Sequence, residues 1–344
     1  IGITRTAAPF KELFDEGHAT IIQGVGYPNP NRSHFVSMDY WHTAVNSGPV
    51  PNTGWVGRAI DAVDPDGDET RAILHIGTAR NLAVEGARHR PISFRSAANF
   101  GWAGPVDGEQ AFERMNREEK GGAGPLDFIR RTAVDGVAAS KYIRRAVNDY
   151  RTPIVWPTGP GGPTKAAEEL RSVVALINAN FPARVYYVSQ GGFDTHFGQK
   201  NTHPGLMKQW SEAVKAFHDD LVRLKQDHRV LMLTFSEFGR RVKENFSQGT
   251  DHGVAGPVFA YGTPVKGGVI GDHPSLTDLD KGDLKTAIDF RRIYSGIARD
   301  WMGVDPGPVG AVAPDVVDGA GRDPPAPSPG RPPKIEPSHK HLPN

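Results

Sequence analysis

The chain contains no cysteine among its 344 residues. This absence excludes a disulfide scaffold, a cysteine nucleophile and a thiolate zinc site. Any metal ion would therefore have to be held by histidine, carboxylate, amide or water ligands. A chain without cysteine also fits an exported bacterial protein.

Long apolar runs and an excess of charge of either sign are also missing. The longest apolar runs fall far short of the roughly 18 residues that span a bilayer, so we expect no membrane span. The net charge is +1 with 23% charged residues, which gives no signal for nucleic acid or for an anionic membrane surface. The chain opens at Ile1 with neither an initiator methionine nor a leader, and we expect it to be processed or truncated.

Glycine and proline are abundant, at 40 and 29 residues, so much of the chain is expected to be loop. The second half nevertheless alternates between helix and strand patterns. Helices are predicted over 164–180 and 206–224, and strands over 183–189 and 229–235. The strand at 229–235 is a continuous apolar run of the buried, parallel type. This alternation predicts an α/β fold with a doubly wound, mostly parallel sheet and helices on both faces.

The domain limits follow from the same patterns. Residues 1–303 are predicted to form one α/β domain with an irregular insertion at about 86–163. Residues 304–344 are rich in proline, glycine and aspartate and are predicted to be a tail that adds little to the core. Further strands are expected at 18–26, 72–77, 257–261 and 268–270, and further helices from near Ser33, over 125–150 and over 286–302.

Polar residues just after strands carry the most weight, because ligands of open α/β sheets bind outside the carboxyl ends of the strands. The first such group is Gly-Gly-Phe-Asp-Thr-His-Phe-Gly-Gln at 191–199. Asp194 and His196 in this group are placed to converge on one cation. An Asp–His pair suits Zn²⁺, Mn²⁺, Mg²⁺ or Ca²⁺. The alternative is a plain loop in which the aspartate caps the turn and the histidine is exposed.

The second group is Thr-Phe-Ser-Glu-Phe-Gly-Arg-Arg at 234–241. Glu237 is a candidate metal ligand or general base at the end of the most apolar strand. Arg240 and Arg241 are candidates to bind an anionic substrate. The alternative is a helix N-terminus with Ser236 as the cap and the glutamate favoured by the helix dipole.

The third group is Gly-Thr-Asp-His-Gly at 249–253. Asp251 and His252 stand between glycines and before a short strand, which makes them candidates for contact with a metal or a substrate. The alternative is an Asx-type turn with a solvent-exposed histidine.

The fourth group lies far upstream, in Asn-Arg-Ser-His-Phe at 31–35. Ser33 follows a proline-rich loop at a predicted helix start, where a helix dipole and a nearby cation would favour its alkoxide as a nucleophile. Arg32 could neutralise an oxyanion, and His34 is grouped with them as a candidate catalytic residue. The alternative for Ser33 is a simple N-cap serine.

The four groups in this order resemble a widespread bacterial family of domains of unknown function. Its members are typically exported by the twin-arginine route and are grouped with the alkaline phosphatase/sulfatase superfamily. The resemblance extends over nearly the whole chain, to about Gly303. It implies an exported protein, periplasmic or on the cell surface, with an alkaline phosphatase-like fold.

The resemblance also implies roles for the candidate residues and two departures from the superfamily. The superfamily's first strand normally carries a metal-binding aspartate, and this chain begins after that point, so the first strand is expected to be missing. Glu237 replaces the commoner Asp-His pair, which leaves the number of ligands and the identity of the metal open. Ser33 takes the nucleophile's place, and Asp194, His196, Glu237, Asp251 and His252 are implied as metal ligands.

Three functional hypotheses follow. The first is metal-dependent hydrolysis of a phosphate or sulfate ester, with Ser33 as the nucleophile and a small anionic or glycan-derived substrate. The second is a non-catalytic exported protein that keeps the fold and binds a glycan or an anionic ligand. The third is a metal-free serine hydrolase, which the absence of a Gly-x-Ser-x-Gly motif at Ser33 makes the weakest.

Overall fold

The structure, a computed structural model, describes residues 2–77, 81–102, 104–116, 124–159 and 162–310. Within these ranges the chain has a mixed α/β fold with several sheets and no closed barrel. The strands are β1 (Ala19–Gly26), β2 (Ile73–Ile76), β3 (Ile92–Phe94), β4 (Thr158–Gly159), β5 (Gly162–Pro163), β6 (Val185–Tyr187), β7 (Met232–Thr234), β8 (Gly256–Tyr261), β9 (Gly268–Ile270) and β10 (Ile288–Asp289). The helices are α1 (Ala8–Asp15), α2 (His34–Thr43), α3 (Trp55–Val63), α4 (Val106–Met115), α5 (Pro125–Asp149), α6 (Lys165–Asn178), α7 (Gln199–Arg223) and α8 (Phe290–Gly296).

The larger sheet is built around β1, whose residues are mostly buried. On one side β8 pairs antiparallel with β1, and β7 pairs antiparallel with β8 at the edge of the sheet. On the other side β9 and β10 pair in parallel with the first and last parts of β1. The sheet therefore mixes parallel and antiparallel pairs around one buried strand.

The second sheet contains three strands in the order β3-β2-β6, and all of its pairs are parallel. A short antiparallel pair, β4 with β5, stands apart from both sheets. The sequence predicted one doubly wound, mostly parallel sheet. The structure confirms the α/β class and one parallel sheet, while the alkaline phosphatase-like arrangement stays a prediction.

The apolar run at 229–235 forms β7, and the prediction that it is a buried parallel strand was wrong. β7 contains only Met232–Thr234, pairs antiparallel with β8, and all three of its residues are half-buried. The reason is its place at the edge of the sheet, where its apolar side chains line a cavity instead of packing between two strands. Apolar composition reports an apolar environment and not the direction or number of neighbouring strands.

Stacked aromatic rings join the C-terminal part of α2 to the rest of the core. The Trp41 and Phe290 rings stack with centroids 4.3 Å apart, and the Trp55 and Tyr294 rings stack at 4.1 Å. The Tyr294 hydroxyl also donates to the Trp41 carbonyl at 3.1 Å. Buried aromatic pairs of this kind each add roughly 0.5–1.5 kcal/mol beyond their area burial. The last turn of α2 is thereby packed against α8, and α3 packs against α8 beside it.

Several predicted helices differ in extent from the observed ones. The helix expected from near Ser33 is α2, with that serine as its N-cap residue. The helix expected over 206–224 begins earlier, at Gln199, and carries Pro204 within its second turn. The helix expected over 286–302 is instead β10, α8 and a π-helical turn at Ile297–Trp301.

The predicted insertion and tail are described in part. The insertion at about 86–163 contains β3, α4, α5 and the β4–β5 pair, with 103, 117–123 and 160–161 outside the described residues. At the start of the predicted tail, Val309 is buried and its carbonyl accepts a hydrogen bond from Arg58 at 2.8 Å. The tail from 311 to 344 lies outside the described residues. Of the helices described, none has the length and hydropathy to span a membrane.

Candidate metal centre

Four chain segments meet at one edge of the fold, and three of them follow strands. The loop after β6 carries Asp194 and His196, and the segment after β7 carries Glu237. The loop before β8 carries His252, and His34 opens α2 after the loop that follows β1. The sequence expectation that these groups converge at one strand-end edge is therefore matched by the contacts below.

Two glycines let the loops approach one another closely. A Cβ atom on Gly249 would lie 2.2 Å from the backbone carbon of His196, and one on Gly253 would lie 2.6 Å from that of Arg240. Both distances are shorter than any real carbon contact, so only glycine fits. The glycines that flank the Asp-His pair thus allow His252 to reach the loop after β6.

Each of the three histidines has its Nδ1 atom next to an oxygen acceptor. His34 Nδ1 lies 2.6 Å from Glu237 Oε1, and His252 Nδ1 lies 2.7 Å from the carbonyl oxygen of Arg32. His196 Nδ1 lies 3.5 Å from Asp251 Oδ1. A carbonyl oxygen can only accept, so His252 carries its proton on Nδ1 and its Nε2 is the free ligand atom in the neutral ring.

The Nε2 atoms of all three histidines converge on Asp194. His196 Nε2 and His252 Nε2 lie 2.9 and 3.0 Å from Asp194 Oδ1 and 2.8 Å from each other. His34 Nε2 is buried without a well-formed hydrogen bond, 3.1 Å from Asp194 Oδ2. Ligand atoms of His34, Asp194 and His252 all lie within 4.8 Å of one another, a spacing that could hold a metal ion. Ligands of a tetrahedral site with bonds of ~2.0–2.1 Å are about 3.3 Å apart, close to these separations.

Glu237 and Asp251 contact the histidines at Nδ1, whereas the Nε2 atoms of the same rings face Asp194. Glu237 touches His34 through Nδ1, and Ser236 donates to its other carboxylate oxygen at 2.8 Å. Asp251 faces His196 Nδ1 and accepts from Asn245 Nδ2 at 3.0 Å. The two carboxylates predicted as ligands therefore occupy the positions from which a carboxylate orients a ligating imidazole.

Asp194 carries a negative charge under all ordinary conditions. Burial disfavours the charged carboxylate, but the hydrogen bond from Arg240 and the close contacts of His252 and His34 outweigh it and hold the pKa of Asp194 well below its usual range. Arg240 also donates to the carbonyl oxygens of Thr250 and Phe193, at 2.9 and 3.1 Å. Arg240 thus ties the first and third loops together, and much of its guanidinium is already occupied.

The acidic groups around His34 raise the pKa of its imidazole. Burial of the ring opposes protonation, but the hydrogen bond to Glu237 and the negative charges of Glu237 and Asp194 outweigh it and raise the pKa of His34. The ring also lies against the His252 ring, with centroids 4.3 Å apart. The negative field that raises this pKa would equally favour a bound cation.

A second charged group, which the sequence did not suggest, borders the centre. Asp283 is 1% exposed and accepts hydrogen bonds from both Arg32 and Arg241, the latter at 3.3 Å. The Asp283 carboxylate thus holds the guanidinium groups of Arg32 and Arg241 close to the Arg32 main chain, whose carbonyl orients His252. No motif around Asp283 marks it, because a single aspartate in the loop before β10 has no distinctive spacing.

Ser33 lies next to the centre in the chain without joining its hydrogen bonds. It is the N-cap of α2, is exposed, and its side chain does not cap the helix. Its backbone N–H donates to Asn31 Oδ1 at 2.8 Å, and the described hydrogen bonds include none from Ser33 Oγ to a histidine. A serine–histidine pair of the kind that a metal-free serine hydrolase needs is thus not formed here.

Comparison with known proteins adds a family assignment and no function. Neither the curated proteins nor the solved structures give a match to this chain. A relationship to the alkaline phosphatase/sulfatase superfamily therefore stays a prediction. One family model, described as Protein of unknown function (DUF1501), matches residues 18–304 and so includes every candidate site residue. The chain therefore belongs to the DUF1501 family of proteins of unknown function.

Proposed function

We propose that this protein is a metal-dependent hydrolase of phosphate or sulfate esters. The observation that carries the proposal is the convergence of three histidine Nε2 atoms on Asp194, with an oxygen acceptor at each Nδ1. Protonated imidazoles this close together would repel one another, whereas neutral imidazoles whose Nε2 atoms lie beside one carboxylate can share a cation with it.

The donor set fits one kind of metal best. Three imidazoles and one carboxylate are the ligands of zinc and of similar first-row ions, whereas magnesium and calcium prefer oxygen ligands alone. We therefore assign His34, Asp194, His196 and His252 as the ligands and favour Zn²⁺ over Mg²⁺ and Ca²⁺. Glu237, Asp251 and the Arg32 carbonyl hold the rings in the ligating orientation.

The residues around these ligands suit an anionic ester. Bound Zn²⁺ would supply Lewis acidity to the ester group and to the attacking hydroxyl. Ser33 lies at the amino end of α2, but its Oγ makes no hydrogen bond that caps the helix. The helix dipole at this end favours an alkoxide. Arg32 is 43% exposed beyond its contact with Asp283, and it is the guanidinium best placed to receive the ester's anionic oxygens. Arg240 instead neutralises Asp194.

Metal content and ester turnover test the proposal directly. Protein purified without chelator is expected to contain about one zinc ion by elemental analysis, as the donor set of one centre implies. It should hydrolyse p-nitrophenyl phosphate or p-nitrocatechol sulfate, and chelation should abolish the reaction. Asp194→Ala should lose both metal and turnover, whereas Asp272→Asn, at an exposed position that is not among the residues of the centre, should keep both.

The outcomes separate the proposal from its alternatives. Protein that binds no zinc, manganese or other divalent ion, with Asp194→Ala indistinguishable from the unaltered chain, would refute the metal centre. Bound metal without turnover of any ester would favour the non-catalytic protein that binds a glycan or an anionic ligand. Turnover that resists chelation would favour the metal-free serine hydrolase.

A further inference from the structure

Tyr27 is the last buried residue before an exposed loop. Its side chain is 2% exposed and follows β1 directly, whereas residues 28–33 are all exposed. The ring lies edge-on to the rings of Tyr40 and Phe290, with centroids 5.7 and 5.9 Å apart. Packing therefore fixes the ring, and with it the position of the hydroxyl, whatever hydrogen bonds that hydroxyl makes.

The Tyr27 hydroxyl holds the exposed loop at Asn31. The Asn31 N–H donates to this hydroxyl at 2.9 Å, and the Asn31 carbonyl oxygen lies 3.2 Å from it. Asn31 is followed at once by Arg32, whose carbonyl oxygen lies 2.7 Å from His252 Nδ1. The Tyr27 hydroxyl thus fixes the residue next to the carbonyl group that orients His252.

A second buried hydroxyl, that of Ser37, connects Tyr27 to the Glu237 main chain. Ser37 is fully buried in α2, about one turn after His34. Its Oγ lies 2.8 Å from the Tyr27 hydroxyl and donates to the carbonyl oxygen of Glu237 at 2.7 Å. The carboxylate of Glu237 contacts His34 Nδ1. Ser37 therefore holds the backbone from which the carboxylate that orients His34 projects.

The number of protons gives these hydrogen bonds a direction. Each hydroxyl has one proton to donate, and a carbonyl oxygen can only accept. The Ser37 proton therefore goes to the Glu237 carbonyl, and the Tyr27 proton goes to Ser37 Oγ. These three hydrogen bonds, the hydroxyl series, run from the Asn31 N–H through both hydroxyls to Glu237. Buried hydrogen bonds that run in one direction polarise and strengthen one another.

We propose that Tyr27 and Ser37 are positioning residues of the metal centre. Their hydroxyls bond to each other and to the main chain, and through the main chain they fix the two oxygen acceptors that orient His34 and His252. The inference rests on the metal centre of the proposed function, and it requires no hydrolytic activity. Hydroxyls that served the fold alone would leave the orientation of the imidazoles unchanged when they were removed.

Two variants interrupt the hydroxyl series, and a matched control leaves it intact. Tyr27→Phe keeps the packed ring and removes its hydroxyl, and Ser37→Ala removes the second hydroxyl alone. The control is Tyr294→Phe, which also removes a buried tyrosine hydroxyl that donates to α2, at the Trp41 carbonyl 3.1 Å away. Trp41 lies in the last turn of α2, outside the series. The two tyrosine variants should therefore show comparable falls in Tm.

The first measurement is zinc affinity, by competition titration at fixed pH. Loss of a group that contacts a ligating imidazole typically costs about 10–100-fold in affinity, so loss of a group one step further out should cost less, about 3–10-fold, in Tyr27→Phe and in Ser37→Ala. Tyr294→Phe should bind zinc as tightly as the unaltered chain. The double variant of Tyr27 and Ser37 should lose less than the product of the two single losses, because both hydroxyls belong to one series.

The second measurement uses metal-free protein. Nitrogen-15 spectra of the imidazole rings, recorded at about pH 8, report which nitrogen of each neutral ring carries the proton. His252 should be protonated at Nδ1 in the unaltered chain and in Ser37→Ala, where the Tyr27 hydroxyl still holds Asn31. Tyr27→Phe should convert part of the His252 population to the form protonated at Nε2, because the loop that carries the acceptor is released.

Either zinc affinity or His252 spectra in Tyr27→Phe that match those of Tyr294→Phe would overturn the inference. An equal loss of zinc affinity in Tyr294→Phe would also overturn it, because a general loss of stability would then explain both results. If the unaltered chain binds no zinc, the proposed function fails, and the His252 spectra of Tyr27→Phe then decide the inference. Zinc binding without ester turnover would refute the hydrolase alone, and both measurements would still decide the inference.

Discussion

Removal of the Glu237 carboxylate should weaken metal binding without abolishing it. Glu237 Oε1 lies 2.6 Å from His34 Nδ1, on the far side of the ring from Asp194. Loss of a carboxylate that orients a ligating imidazole typically costs about 10–100-fold in metal affinity, which is roughly 1.4–2.8 kcal/mol. We expect a loss in this range for Glu237→Ala. Glu237→Gln, whose amide oxygen can still accept from Nδ1, should lose less than about tenfold.

The measurement is a competition titration of zinc against a chromophoric chelator at fixed pH. Glu244→Gln, an exposed glutamate seven positions along the chain, is the matched control and should leave the affinity unchanged. The reasoning fails if Glu237→Ala binds zinc as tightly as the unaltered chain. It also fails if Glu237→Ala loses binding as completely as Asp194→Ala, since that would make Glu237 a direct ligand.

Three further predictions concern the nucleophile and two histidines. Ser33→Ala should lower kcat at least about a thousandfold and keep full metal content, because the serine supplies the attacking oxygen and no ligand; undiminished turnover would remove the nucleophile assignment. Because the pKa of His34 is raised, protons should compete with zinc for this ring at higher pH than for an unperturbed histidine. Zinc affinity should therefore fall as the pH drops towards and below that raised pKa. Glu237→Gln removes a negative charge beside His34 and should shift this fall to lower pH. His42 is buried and its pKa is lowered from 6.5 to about 4, so its neutral form stabilises the fold above pH 6.5 and this stability is lost between 6.5 and 4. Its loss should reach roughly 3 kcal/mol. The free energy of unfolding of His42→Asn should therefore depend less on pH than that of the unaltered chain or of His273→Asn, an exposed control; identical pH dependence in all three would contradict the assignment.

The sequence locates much of the candidate centre, because strand ends and polar loops can be recognised without coordinates. Asp194, His196 and His252 stand after or between strand patterns, and the structure brings their side chains within 3.0 Å of one another. Their shared edge follows from the general placement of ligands in α/β sheets. His34 was recognised only as a neighbour of Ser33, and its ring direction depends on how α2 packs.

The roles of the carboxylates could not be predicted in the same way. Whether the Glu237 carboxylate binds a cation directly or only supports the His34 imidazole depends on the exact position of its side chain in the fold. A sequence pattern does not give that position. Asp283 was missed because its importance comes from two arginines, one of them 251 positions away. The antiparallel pairing of β7 was missed for a related reason, since an apolar strand pattern is the same for parallel and antiparallel neighbours.

The oxygen that orients His252 belongs to the main chain of residue 32 and not to its side chain. Substitution at this position leaves a carbonyl in place, so the imidazole keeps its support whatever residue stands there. The side chain of Arg32, by contrast, is turned towards Asp283 and solvent. Evolution could therefore change the side chain at position 32, which faces incoming molecules, without disturbing the residues that hold the cation. Relatives with a different residue at position 32 are expected to differ in substrate specificity before they differ in metal content.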